Sequence, residues 1–127
     1  AASDVYKRQE ESVSAEYLEQ GFSYLAKKAH DHGSRIYGAT IMPCGNTEYS
    51  EKWMQAFEKT RRDVNQWIRT QSVYDGYFDF DEILKNDTVP AYLKEEVHIG
   101  DGLHPNTMGG KILAECVDLS MLTGLDD

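Results

Sequence analysis

The chain has 127 residues, enough for one domain and too few for two of ordinary size. Its 22 acidic and 13 basic residues leave a net charge of −9 with histidines neutral, which argues against the basic face that a nucleic-acid partner requires. Hydrophobic residues make up 40% of the chain, yet no run approaches the ~18 apolar residues of a bilayer span.

Residues 1–9 show no apolar period and no helix cap, and they read as a non-native or frayed segment outside the fold. From Ser14 the pattern turns helical. Leu18, Phe22, Leu25 and Ala29 recur at helical spacing, Ser14 can cap the start, and His30 and His32 fall in the last turn before Gly33. Residues 35–41, RIYGATI, read as a short strand covered on both faces, as in a parallel sheet. After a loop over residues 43–50, a second helix is expected over 50–70. Trp53, Phe57, Val64, Trp67 and Ile68 form its packed stripe, and Lys59, Arg62 and Asp63 are among the charges elsewhere.

A second strand is expected over 77–80 after the turn at Asp75-Gly76, with Asp81 capping one or two helical turns to Lys85. Residues 86–99, with Pro90 among them, read as loop. A last helix is expected over 106–122, its inner face formed by Ile112, Leu113, Cys116, Val117 and Leu119. Cys44 and Cys116 have neither redox nor zinc spacing and read as small buried hydrophobes, a disulfide between them being left open. Alternating helices and apolar strands imply parallel crossovers. Two such strands under three amphipathic helices leave an open edge and unburied helix faces, so the chain reads as the second half of a doubly wound α/β domain.

Chemistry concentrates in residues 98–106, HIGDGLHPN. Asp101 and His104 are three apart in a glycine-containing loop ahead of a helix, close enough for the carboxylate to accept the ring's Nδ1 proton and leave Nε2 as a base. Pro105 disfavours helical backbone at His104, so the imidazole sits at the end of the loop. In open parallel sheets, loops leaving the carboxyl ends of strands line the ligand crevice.

Four segments carry a resemblance: IYGATIMP at 36–43, EKTRRDVNQWIR at 58–69, YFDFDEIL at 77–84, and above all DGLHPNTMGGKILAE at 101–115. With them, residues 14–124 resemble the C-terminal part of an SGNH (GDSL-type) serine esterase or acylhydrolase. The helix bearing Arg61, Arg62, Val64, Asn65, Trp67, Ile68 and Arg69 is similar to an arylesterase and carbohydrate-acyl-esterase branch. The resemblance implies a flavodoxin-like three-layer αβα sandwich and a Ser-His-Asp triad without metal or organic cofactor. Asp101 and His104 match the family's D-x-x-H, and the implied partner is a small-molecule or carbohydrate ester. Localisation and oligomeric state stay open.

None of the eight serines, Ser3, Ser12, Ser14, Ser23, Ser34, Ser50, Ser72 and Ser120, follows a Gly-Asp pair, and Gly45-Asn46 is not followed by the aspartate of a G-x-N-D motif. No nucleophile or oxyanion-hole residue carries over. Residues 10–127 are therefore expected to form the C-terminal part of a single hydrolase domain and to be inactive alone. In a comparable triad, loss of the serine costs ~10⁶ in kcat. Two alternatives stand beside this reading: a metal site built from His98, Asp101 and His104, and a non-catalytic fragment that binds a partner through its open sheet edge.

Overall fold

A computed structural model of the chain describes residues 13–47 and 49–123. The expected segment over residues 1–9 lies outside the described residues. Helix α1 (Ala15–Asp31) leads to strand β1 (Tyr37–Ala39), helix α2 (Glu51–Thr70), strand β2 (Gly76–Phe78) and a short helix α3 (Phe80–Leu84). A 3-10 turn (Glu95–Val97), helix α4 (Thr107–Cys116) and a short helix α5 (Leu119–Thr123) complete the order. The strands pair in parallel, Gly38 opposite Tyr77, in a mixed α/β arrangement with a two-stranded sheet.

Local chemistry sets the helix starts. Ser14 Oγ accepts from the Tyr17 amide and Ser50 Oγ from the Trp53 amide, each satisfying one of the donors that open a helix. Two apolar clusters follow. Ala15 of α1 packs on Val64 and Ile68 of α2 with Leu18, Phe22 and Trp67 around them, while Leu84, Leu93 and Val97 pack with Ile112 and Leu113 of α4. The buried stripe of α1 runs through Ala26, while the expected Leu25, about 100° further round the helix, is exposed.

Between the clusters runs a polar stripe. Arg61, Asn65 and Arg69 recur every four residues on α2 and face the carboxyl ends of both strands. The Asn65 amide clasps Ile41, accepting from its N–H at 2.7 Å and donating to its C=O at 2.8 Å. Arg61, 3% exposed, donates to Asp81 at 2.5 Å, to both Glu58 oxygens, and to the carbonyls of Ile41 and Pro90. Burial opposes its charge, but the Glu58 and Asp81 carboxylates outweigh that penalty and hold its pKa above the ordinary arginine value. Arg69 grips Asp79 through two nitrogens at 2.8 Å and reaches Asp81 at 2.9 Å.

Three sequence expectations are corrected here. Asp79, not Asp81, caps α3, its Oδ1 accepting from the Glu82 amide, because Asp81 is buried against the two arginines. The expected helix over 106–122 breaks after Cys116, where the Asp118 carboxylate takes the Ser120 amide and hydroxyl and opens α5 instead; Leu119 is consequently 68% exposed and not part of an inner face. The loop over 86–99 is organised: the Asn86 amide donates to the Tyr92 carbonyl, the Tyr92 amide to the Val89 carbonyl, and Lys85 bridges Leu93. Cys44 and Cys116 are both free, Cys44 buried and Cys116 half-buried, and burial pushes the Cys44 thiol up to about 11.

Replacing Arg61 by Met strips a buried carboxylate of its nearest cation and is expected to lower unfolding stability by about 3 kcal/mol, Asp81 keeping only Arg69. The double variant Arg61→Met with Asp81→Leu is expected to recover most of the loss in urea denaturation. Equal stability of the Arg61→Met single variant and the unsubstituted chain contradicts the role assigned to the pair.

Candidate active site

The loop that carries Asp101 and His104 is a closed turn held at its base. His98 and Pro105 form an antiparallel bridge, the Ile99 amide donates to the His104 carbonyl at 3.0 Å, and the Asn106 amide to the Val97 carbonyl at 2.8 Å. Asn106 works in two directions. Its Oδ1 caps α4 by accepting from the Gly109 amide, while its Nδ2 donates to the carbonyls of Glu96 and His98. Gly109 permits this closeness: any Cβ there would strike the Val97 carbonyl.

At the tip, the Asp101 carboxylate divides its labour. Oδ1 accepts from the Leu103 and His104 amides, both at 2.9 Å, which fixes the carboxylate in the turn. Oδ2 accepts from His104 Nδ1 at 2.5 Å. Because an ionised carboxylate can only accept, Nδ1 carries the proton and the neutral ring presents Nε2 as a lone pair. The His104 side chain is 67% exposed, and Nε2 makes no hydrogen bond among the described residues. The His104 ring, then the two backbone amides, holds the Asp101 carboxyl well below the usual carboxylate range.

Gly102, at φ +68°, packs where a Cβ would lie 2.6 Å from the Asn46 carbonyl, so the turn rests on the loop that leaves the carboxyl end of β1. That loop is pinned in turn by the Gly45 amide donating to the Ala91 carbonyl at 2.7 Å. Gly45 and Asn46 thus serve the scaffold beneath the pair. The position is the one where ligands sit in open parallel sheets.

The structure brings Asp101 and His104 together and sets His98 apart. His98 turns Nδ1 to the Gly100 and Gly102 amides, its Nε2 is buried, and no group of three His, Cys, Asp or Glu side chains among the described residues is placed to hold a metal. The expected alternative of a His98/Asp101/His104 metal site is therefore not formed, since the turn spends one His98 nitrogen on its own backbone and buries the other.

The sequence places His30 in the last turn of its helix and gives no sign of its 2.8 Å contact with Asp75, whose Oδ2 also accepts from the Ile36 amide. This second Asp-His pair lies at the amino ends of the strands, away from the ligand-binding end. A concavity of about 1190 Å³ lies between α2 and the loop over 85–92, and its lining includes neither Asp101 nor His104, nor any serine or histidine. Chemistry locates the candidate site. Family models and curated proteins were both compared with the chain, and neither comparison finds a match.

A depressed folded pKa means that the stabilisation Asp101 gives the turn is complete above the unfolded value and is lost as the pH falls through the folded one. The Asp101 carboxyl carbon is accordingly expected to titrate below 3.8 in an NMR pH series, and to move up towards that value in His104→Ala. A midpoint at or above 3.8 in the unsubstituted chain contradicts the arrangement.

Proposed function

We propose that this chain supplies the Asp-x-x-His part of a serine esterase or acylhydrolase of the SGNH type, within a larger flavodoxin-like αβα sandwich. The observation that carries the reading is the 2.5 Å bond from His104 Nδ1 to Asp101 Oδ2, with Nε2 turned free of the protein. Such a ring can take the proton of an attacking alcohol at Nε2, while Asp101 steadies the cation that results; the same nitrogen then protonates the leaving alcohol before water repeats the cycle.

No serine hydroxyl is hydrogen-bonded to His104 among the described residues, so the alcohol comes from a segment other than these. Two features support a larger sheet around the chain. Strand β1 pairs only with β2 among the described residues, and α1 exposes Tyr17, Tyr24 and Leu25, apolar surface suited to a further layer. No helix among the described residues is long and apolar enough to cross a membrane. The substrate class proposed is a small-molecule or carbohydrate ester, and the catalysis requires neither metal nor organic cofactor.

The 127-residue chain alone is expected to hydrolyse 4-nitrophenyl acetate no faster than its His104→Ala variant. Extended upstream in its genomic reading frame, it is expected to gain a Gly-Asp-Ser segment and saturable turnover. Asp101→Asn should then lower kcat by about 10³–10⁴-fold. A reading frame without that segment, or turnover indifferent to His104→Ala, overturns the proposal.

A further inference from the structure

We propose that His98 is a positioning residue that holds the Asp101 carboxylate in register with the His104 ring. The inference rests on the esterase reading for its catalytic consequence and on geometry for the rest. Asp101 stands between Gly100 at φ +109° and Gly102 at φ +68°, both in the left-handed region, and glycines are the residues with most freedom to lose on ordering. One atom restrains both. His98 Nδ1 accepts from the Gly100 amide at 3.0 Å and from the Gly102 amide at 3.1 Å, so the backbone on either side of the catalytic carboxylate hangs from a single ring nitrogen.

Two converging N–H donors leave no room for a proton on Nδ1, so His98 is the neutral tautomer with its proton on Nε2. That Nε2 is buried and has no partner among the described residues, and the ring's polar hold on the loop therefore runs wholly through Nδ1. The order of action is plain. His98 fixes the Gly100 and Gly102 amides, these fix the Asp101 backbone, Asp101 Oδ1 folds the Leu103 and His104 amides around itself, and Oδ2 meets His104 Nδ1. His98 itself makes no hydrogen bond to either side chain of the pair, so it acts through the backbone.

The test compares His98→Asn, whose amide oxygen keeps an acceptor near the place of Nδ1, with His98→Phe, which keeps the ring and removes the acceptor. In NMR spectra of the 127-residue chain, the His104 Hδ1 proton bound to Asp101 is expected far downfield in the unsubstituted chain and in His98→Asn. In His98→Phe it is expected to shift upfield or exchange away, while the helix amides stay in place. An unchanged His104 Hδ1 signal in His98→Phe overturns the proposal. Should that variant fail to fold, the unsubstituted chain decides: ¹⁵N spectra are expected to show His98 Nδ1 unprotonated and coupled to the Gly100 and Gly102 amides, and a protonated Nδ1 overturns it. These signals need no hydrolysis, so failure of the esterase reading, seen as absent turnover in the extended protein, is distinguishable from failure of this one. Where turnover exists, His98→Phe is expected to lower kcat about 10²-fold at unchanged KM, and His98→Asn to restore it.

Discussion

A single buried guanidinium organises the molecule. Arg61 enters from the middle of α2 and meets Asp81 beyond the end of β2, Glu58 one turn back, and the carbonyls of Ile41 and Pro90. A buried charge of this kind is costly unless nearly every donor finds an acceptor. Here the acceptors are spread over the segments that follow both strands, so satisfying one side chain ties together the chain at Ile41, Asp81 and Pro90. The neighbouring Asn65 clasp on Ile41 and the Arg69 grip on Asp79 extend the same seam. Apolar packing supplies two small clusters on either side of it, and the seam is what sets them in a fixed relation.

That constraint reaches the candidate site by a short path. Arg61 holds Pro90, the next carbonyl along holds Gly45, and the loop at Asn46 is the floor on which Gly102 rests. From the other side, Val97 and Gly109 press α4 against the base of the turn, and Asn106 ties cap and loop together. The Asp101 carboxylate is thus rigidly seated while the far nitrogen of His104 faces solvent. A catalytic base requires this combination: a ring whose orientation is determined and whose reactive atom is unoccupied.

What could be read from the residues follows the range of each interaction. The cap at Ser14 and the Asp101–His104 pair depend on groups three positions apart, and spacing suffices to foresee such contacts. The Arg61–Asp81 pair spans twenty positions, and a charged residue on a helix defaults to solvent until its partner is known. The exchange of roles between Asp79 and Asp81 has the same origin: two aspartates near a helix start are equivalent locally, and only the arginines of α2 tell them apart. At Val117 the apolar period continues while the helix does not, because the Asp118 side chain competes for backbone donors that periodicity ignores. Arg61, Asn65 and Arg69 did carry a signal, polar residues at a strict four-residue repeat beside the apolar stripe. His98 carried little, since its work is done on glycine amides within its own loop.

The central claim, that His104 is poised to activate an alcohol, is tested most directly by covalent capture. A fluorophosphonate probe applied to the protein extended upstream in its reading frame is expected to phosphonylate one serine, as mass spectrometry would show, and to leave the His104→Ala variant unlabelled. Labelling that persists without His104, or no serine adduct in the extended protein, would contradict the account.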